Sequence, residues 1–313
     1  DHAGCVFGAA GGFAAAMNDS WIRVVRSSAQ RNEWMVALKE KVFAGWPREA
    51  LSLELKPIAA RASDGVQFSI FEFQSQTAMP LRIYVASPTA ANRAKQTVFN
   101  VLDERDWANW LGTAVGGFGN ELRDEIAAIE PGVKLTATPE SAKIFSDWRA
   151  FVKDGNAVHV YFAPRGVGLT ALTGNAKHLT QTRRRFMLLG QTLDSMRVWD
   201  IRRALQAARA MPESRALPIV LRGGRAMGVS TLYASLFGPE VAAIELRELP
   251  ASHMDGPDYL NVLRFLDIPQ TVALAAERFP VTMQQAATGF EFPVAVAANG
   301  WWGKERLKFG VKP

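Results

Sequence analysis

Residues 217–232 read LPIVLRGGRAMGVSTL: an apolar run, a glycine pair and a second apolar run. A strand that turns sharply into a helix is the device that presents a catalytic serine in the pattern G-x-S-x-G, with small residues where the turn is tight. Laid on that pattern, the sequence offers Gly223, Gly224, Arg225, Ala226 and Met227. The nucleophile's place holds Arg225, whose guanidinium stays protonated at neutral pH and attacks nothing. Ser230 follows, but its spacing puts it inside the helix rather than at the turn. Read as a phosphate cradle at a helix N-terminus, GGRAMG lacks the G-x-G-x-x-G spacing and has no Walker lysine.

The serine's partners are missing from their places too. Where the chain order is Ser…Asp/Glu…His, the histidine comes late. The four histidines are His2, His159, His178 and His253, and no Asp or Glu lies between Glu277 and Glu291. The usual acyl-enzyme route therefore has three empty places. What remains is local: Ser252, His253 and Asp255, in a segment bracketed by Pro250 and Pro257. His253 as a base oriented by Asp255 would make an unconventional site. The competing reading is a histidine that fixes the loop over the sheet. His159, inside an apolar run, is expected to be packed. No two histidines stand at metal-ligand spacing, and the single cysteine, Cys5, has no partner for a disulfide or a metal cluster. No cofactor is expected.

The elements that must position these residues follow from periodicity. Residues 19–44 carry Trp21, Val24, Val25, Trp34, Leu38 and Val42 at helical spacing, and AGWP ends the segment because Pro47 cannot continue a helix. From 51 to 87 the pattern alternates: LSLELKPIAAR, VQFSIFEFQSQ and LRIYVASP read as strands, with SDG (63–65) as a turn. TVFNVL (97–102), AVHVYFA (157–163), PIVL (218–221), AAIEL (242–246), PVTM (280–283) and FPVAVAAN (292–299) are short apolar runs suited to parallel strands buried on both faces. Helical segments separate them, the clearest being Met187 to Met211, with Val198, Ile201, Leu205 and Ala208 on one face. The alternation predicts an α/β fold: a doubly wound, mostly parallel sheet with antiparallel N-terminal strands. Residues 1–50 are expected to form an N-terminal helical arm and 51–313 the sheet domain.

Ligands of open parallel sheets sit beyond the carboxyl ends of strands. Those ends read DERDW (103–107), PRGVG (164–168), GGRAMG (223–228) and RELPASHMDGPDYLNVLRFLDIP (247–269). The binding candidates are Arg165, Arg222, Arg225, Glu104 and His253. The arginines could face an acidic group such as a uronate carboxylate. Alternatively, Arg225 pairs with Asp103, Glu104 or Asp255 and holds an emptied site together.

Composition narrows the setting. Of 313 residues, 48% are apolar, and no apolar run reaches the length of a membrane span. The net charge of +6 is spread along the chain apart from RRR (183–185) and RLK (306–308). There is no platform of interleaved basic and aromatic residues, so no nucleic-acid partner is expected. One cysteine suits the cytoplasm and suits equally an exported protein without disulfides. The sequence opens on Asp1, and CVFGAAGGFAAAM (5–17) has no basic n-region to make it a signal peptide. The expectation is a piece, or a processed product, of something longer.

Three stretches resemble a known family. APRGVG (163–168) resembles the DPRG-x-G turn after the fourth strand of acetyl-xylan-esterase-like α/β-hydrolases. RRRFMLLGQTLDSMRVWDIRRAL (183–205) is similar to the helix before the elbow in that group. LPASHMDGPDYLNVLRFLDIPQTVALAAER (249–278) resembles the segment after the sixth strand in large esterase-like proteins of planctomycete-type bacteria. Some of those carry two hydrolase-like domains in tandem, the first with an intact serine elbow and the second without; this chain resembles the second over roughly residues 30–300. The resemblance implies the α/β-hydrolase fold, an exported, carbohydrate-facing setting and an active esterase domain or subunit as partner. The departures are Ala163 where the family's turn begins with Asp, Arg225 at the nucleophile, and no acid or histidine to carry over. The expected function is a degenerate hydrolase-like module, accessory or ligand-binding. The alternatives are an active carbohydrate esterase working through Ser252, His253 and Asp255, or a structural interaction domain whose apolar surface would draw on tryptophans such as Trp301 and Trp302.

Overall fold

The computed structural model describes residues 28–48, 51–90, 94–129, 139–298 and 302–310. The first part of the expected arm, including Trp21, Val24 and Val25, lies outside the described residues, as does Trp301. The rest of the arm is helix α1 (Ser28–Ala37), continued by a π-helical turn, Leu38–Val42. Trp34, Leu38, Val42 and Phe43 are buried in the common core. Phe43 stacks on Trp46 and meets Tyr233, Phe237 and Tyr259 edge-on, so aromatic packing ties the arm to the body.

Strands β1 (Lys56–Ser63), β2 (Val66–Gln76) and β3 (Met79–Pro88) form two antiparallel hairpins. The parallel part consists of β4 (Gln96–Val101), β5 (Ala157–Phe162), β6 (Ile219–Gly224), β7 (Ala243–Arg247), β8 (Val281–Gln284) and β9 (Leu307–Phe309). Together they make a nine-stranded sheet in the order β1-β2-β3-β5-β4-β6-β7-β8-β9, with β3 antiparallel to β5. Winding reverses at β4, which lies between β5 and β6.

The connecting helices are α2 (Glu104–Phe118), α3 (Arg123–Ile129), α4 (Pro139–Asp154), α5 (Ala176–Leu188), α6 (Leu193–Ala210), α7 (Arg225–Phe237), α8 (Ile268–Arg278) and α9 (Glu291–Ala298). On one face α6, α7 and α8 pack in succession. The opposite face takes α4, whose Trp148 indole donates to the Tyr161 hydroxyl and whose Phe151 meets the His159 ring. In parallel pairs, residues in register share a face. Tyr161, Asn100, Arg222, Glu245, Thr282 and Lys308 therefore form a polar row on the α4 face.

Three elements differ from the sequence reading. The run FPVAVAAN is not a strand: its described part, residues 292–298, lies in helix α9, where Phe292 and Val296 are buried while Val294 is 42% exposed, the pattern of residues four apart on a helix. The apolar run from Met187 to Met211 is broken between α5 and α6. Gly190, at φ 70°, ends α5 with two capping bonds, Gln191 N donating to Phe186 O and Gly190 N to Met187 O, each 3.0 Å. Thr192 and Ser195 then cap α6 reciprocally. Strand β9 was not expected, because a run of three residues carries no periodicity.

The elbow depends on glycine at a close approach. β6 ends at Gly224 and α7 starts at Arg225 with no residue between. A Cβ on Gly223 would stand 2.4 Å from Thr231 Oγ1 and 3.0 Å from Gly228 Cα, so only glycine lets the helix fold back onto its own strand here.

Candidate active site at the elbow

The strand-to-helix turn is built as a serine enzyme would need it, with a different residue in it. Arg225 has φ 53°, the left-handed region that a non-glycine residue enters only under constraint. It is the first residue of α7, at the positive end of the helix macrodipole, where a cation is least welcome. Three carboxylates compensate it. Arg225 Nε donates to Asp103 Oδ2 at 2.7 Å, Nη2 lies 2.9 Å from Asp106 Oδ1, and Nη1 donates to Glu248 Oε2 at 3.1 Å.

Each carboxylate is held by its own element. Asp103 is the N-cap of α2; its Oδ1 accepts the Asp106 amide at 2.8 Å, leaving Oδ2 for the guanidinium. Asp106, in the first turn of α2, uses its other oxygen for Arg247 Nη2 at 2.5 Å. Glu248 follows β7 and has φ 52°, so both ends of the Arg225–Glu248 pair stand on strained backbone. Burial opposes ionisation of Asp103, but the Arg225 hydrogen bond, the Asp106 amide and the charges of Arg225 and Arg247 outweigh it and hold the carboxyl below its usual range. Hydrogen bonding to Asp103 first, then to Asp106 and Glu248, holds the Arg225 guanidinium more firmly protonated than a free arginine.

Beside this network, on the polar face of the sheet, lies a cleft of about 650 Å³. Asn100, Tyr161, Arg222, Glu245, Arg247 and Gln284 are among its walls. Arg222 Nε donates to Glu245 Oε2 at 2.7 Å, so the arginines on the cleft, like Arg225, each carry a carboxylate partner.

The other candidates lie elsewhere. Arg165 is buried and spends its guanidinium on Asp200: Nε donates to Oδ2 and Nη2 to Oδ1, both at 2.7 Å, while the Arg165 amide also donates to Oδ2. That fork pins the turn after β5 to α6. Glu104 pairs with Arg197 at 2.9 Å, not with Arg225. Ser230 is buried in α7 against the Tyr259 hydroxyl, 2.8 Å away.

Ser252, His253 and Asp255 are neighbours in sequence but are not linked in a relay. The Ser252 hydroxyl donates to Asp267 Oδ2 at 2.6 Å. His253 is buried; Pro257 O, 3.0 Å from Nδ1, can only accept, so Nδ1 carries the proton. Nε2 then accepts from the Tyr233 hydroxyl at 2.9 Å, and Tyr233 accepts from Thr271 in turn. Burial lowers the His253 pKa, only partly offset by Pro257 and the nearby Asp267, Asp194 and Asp258. The Asp255 side chain is exposed. Among the described residues no group of His, Cys, Asp and Glu is arranged to hold a metal ion, and the three carboxylates at the elbow have a guanidinium at their centre.

Sequence reasoning did not single out Asp106, Arg247 or Glu248. Their signal was position: Asp106 falls three residues after an N-cap aspartate, and Arg247 and Glu248 follow an apolar strand directly.

No protein-family model and no curated protein matches the chain. Solved structures do. A protein from Bacteroides fragilis assigned as an acetyl xylan esterase is 15% identical with a TM-score of 0.63, over 94% of this chain and 75% of that one. A glucuronoyl esterase from Solibacter usitatus is 14% identical with a TM-score of 0.58, over 88% of this chain and 80% of its own. A glucuronoyl esterase from Teredinibacter turnerae is 15% identical with a TM-score of 0.53, over 87% and 72%. With the mixed sheet and its helical layers, this likeness shows the α/β-hydrolase fold.

Proposed function

We propose that the chain is a catalytically silent α/β-hydrolase module, acting as an accessory or ligand-binding partner of an active carbohydrate esterase. The carrying observation is Arg225, a strained first residue of the elbow helix whose guanidinium is taken up by Asp103, Asp106 and Glu248. A group so engaged neither attacks an acyl carbon nor accepts a proton. The fold shared with acetyl xylan and glucuronoyl esterases supports the carbohydrate side of this reading. An exported setting goes with it.

The pairing also bears on the ligand. An acidic sugar would have to displace a carboxylate from Arg222, Arg225 or Arg247. A neutral polyhydroxyl ligand would instead find donors and acceptors along the polar row, so we favour a neutral glycan over a uronate.

Intact-mass analysis after fluorophosphonate treatment, alongside hydrolysis of 4-nitrophenyl acetate, tests the silence. No adduct and no turnover above buffer are expected, and Arg225→Ser is expected to stay inactive because no histidine among the described residues faces the turn. A stoichiometric adduct with turnover on the unmodified chain overturns the proposal, and the labelled serine would locate the site.

A further inference from the structure

Helix α5 stands on the surface: none of its 13 residues is buried. It is also the most one-sided part of the chain in charge. No Asp or Glu occurs between Asp154 and Asp194, while α5 carries Lys177, Arg183, Arg184 and Arg185. None of the four has a carboxylate partner among the described residues. At the C-terminal end of the helix Leu188 and Leu189 are 86% and 72% exposed, and Met187 is exposed beside them.

These leucines are held out rather than left loose. The capping bonds at Gly190 fix the helix end. Gln191 Nε2 donates to Gly45 O and Thr192 Oγ1 to Asp258 O, each at 2.5 Å, anchoring the following residues to the arm and to the loop after β7. Exposing two large apolar side chains on a fixed tip, within a field of like charge, is unfavourable in water alone.

We propose that the tip of α5 is a docking surface for a bilayer containing anionic phospholipid, with Leu188 and Leu189 entering the headgroup region and the arginines contacting lipid phosphates. The cations of α5 match a negative surface, although Arg183 and Met187 line a cavity with Glu104, Asp194 and Asp258 on the side towards the body, and the exposed leucines at the helix end match the acyl boundary. A protein partner is less well matched, since α5 offers no exposed aromatic anchor of the kind that dominates protein interfaces. The contact is peripheral: among the described residues no helix is long and apolar enough to cross a membrane. It is independent of what the elbow does.

The test is co-sedimentation of the whole chain with vesicles of phosphatidylcholine alone and of phosphatidylcholine mixed with phosphatidylglycerol. Binding to the mixed vesicles only, weakening with salt, is expected. At about 1 kcal/mol per cation near an anionic surface, the triple change Arg183→Ala, Arg184→Ala, Arg185→Ala should weaken it roughly a hundredfold. Leu188→Ser with Leu189→Ser should weaken it at least about tenfold. All five positions are exposed, so both variants should keep the circular dichroism of the parent. Absence of binding overturns the proposal. So does binding that ignores the leucines and is displaced fully by heparin, which is simple charge adsorption. A dimer in sedimentation that the leucine change dissolves also overturns it, because the patch would then belong to a second copy.

Discussion

A guanidinium in the first turn of a helix repels the aligned amides, and at Arg225 it also sits on a left-handed backbone. Asp103, Asp106 and Glu248 offset both costs, and the Arg225 side chain keeps 25% of its surface in water, which limits what the pairs are worth. Arg225→Ala should leave Asp103 and Glu248 without their cation and Asp106 with Arg247 alone, and lower unfolding free energy by about 2 kcal/mol in urea titrations. Arg225→Gly loses the same pairs but relieves the backbone, and should be milder by about 1 kcal/mol. Equal losses for the two would mean that the turn carries no strain. Arg225→Lys should not restore the parent, because a single ammonium cannot serve three carboxylates with the fork of a guanidinium.

At the scale of elements, the elbow rests on the contact between β6 and α7. Gly223→Ala would drive a methyl group against Thr231 and the Gly228 backbone and should cost about 2–3 kcal/mol, read by the same titration. The glycine pair was visible in the sequence, and so were β2 to β8, because alternation and short apolar runs report burial directly. α9 was misread since eight mostly apolar residues fit a buried strand as well as a helix; Pro293, tolerated in a helix's first turn, was the cue on the other side. The α5–α6 break was signalled by Gly190 and the polar Gln191 and Thr192 after it, but obscured by the apolar residues just before them. At the site, a missing nucleophile is a statement about one residue and can be read locally. What neutralises the arginine standing there, Asp106 and Glu248 from two distant elements, depends on tertiary placement that no local pattern encodes.

For the whole molecule, the buried histidines set the response to acid. Burial, with the Arg222 charge adding to it, lowers His159 from 6.5 to about 4. Protonation therefore favours the unfolded chain. The stability tied to neutral His159 is full above about 6.5 and is lost as pH falls towards about 4, roughly 3 kcal/mol in all. His253, also lowered by burial, pulls the same way. Asp103, held low, loses its contribution only at more acid pH, once its carboxyl is protonated. The urea midpoint should decline between about pH 7 and about pH 4.5, and His159→Phe should flatten that decline. A parallel decline in the variant would place the acid sensitivity elsewhere.

The position of β4 governs how the chain can be made. On one side β4 pairs with β5, and on the other Thr97 pairs with Ile219 of β6, far along the sequence. Synthesis runs from the N-terminus, so β4 and β5 leave the ribosome well before the strand that completes them. Until β6 arrives, the backbone of Thr97 to Asn100 is an open edge bearing Val98 and Phe99, which are buried in the finished fold. A nascent chain arrested ahead of Ile219 is thus a ready target for chaperone holdases or for aggregation, and folding to completion waits on a closure of high contact order.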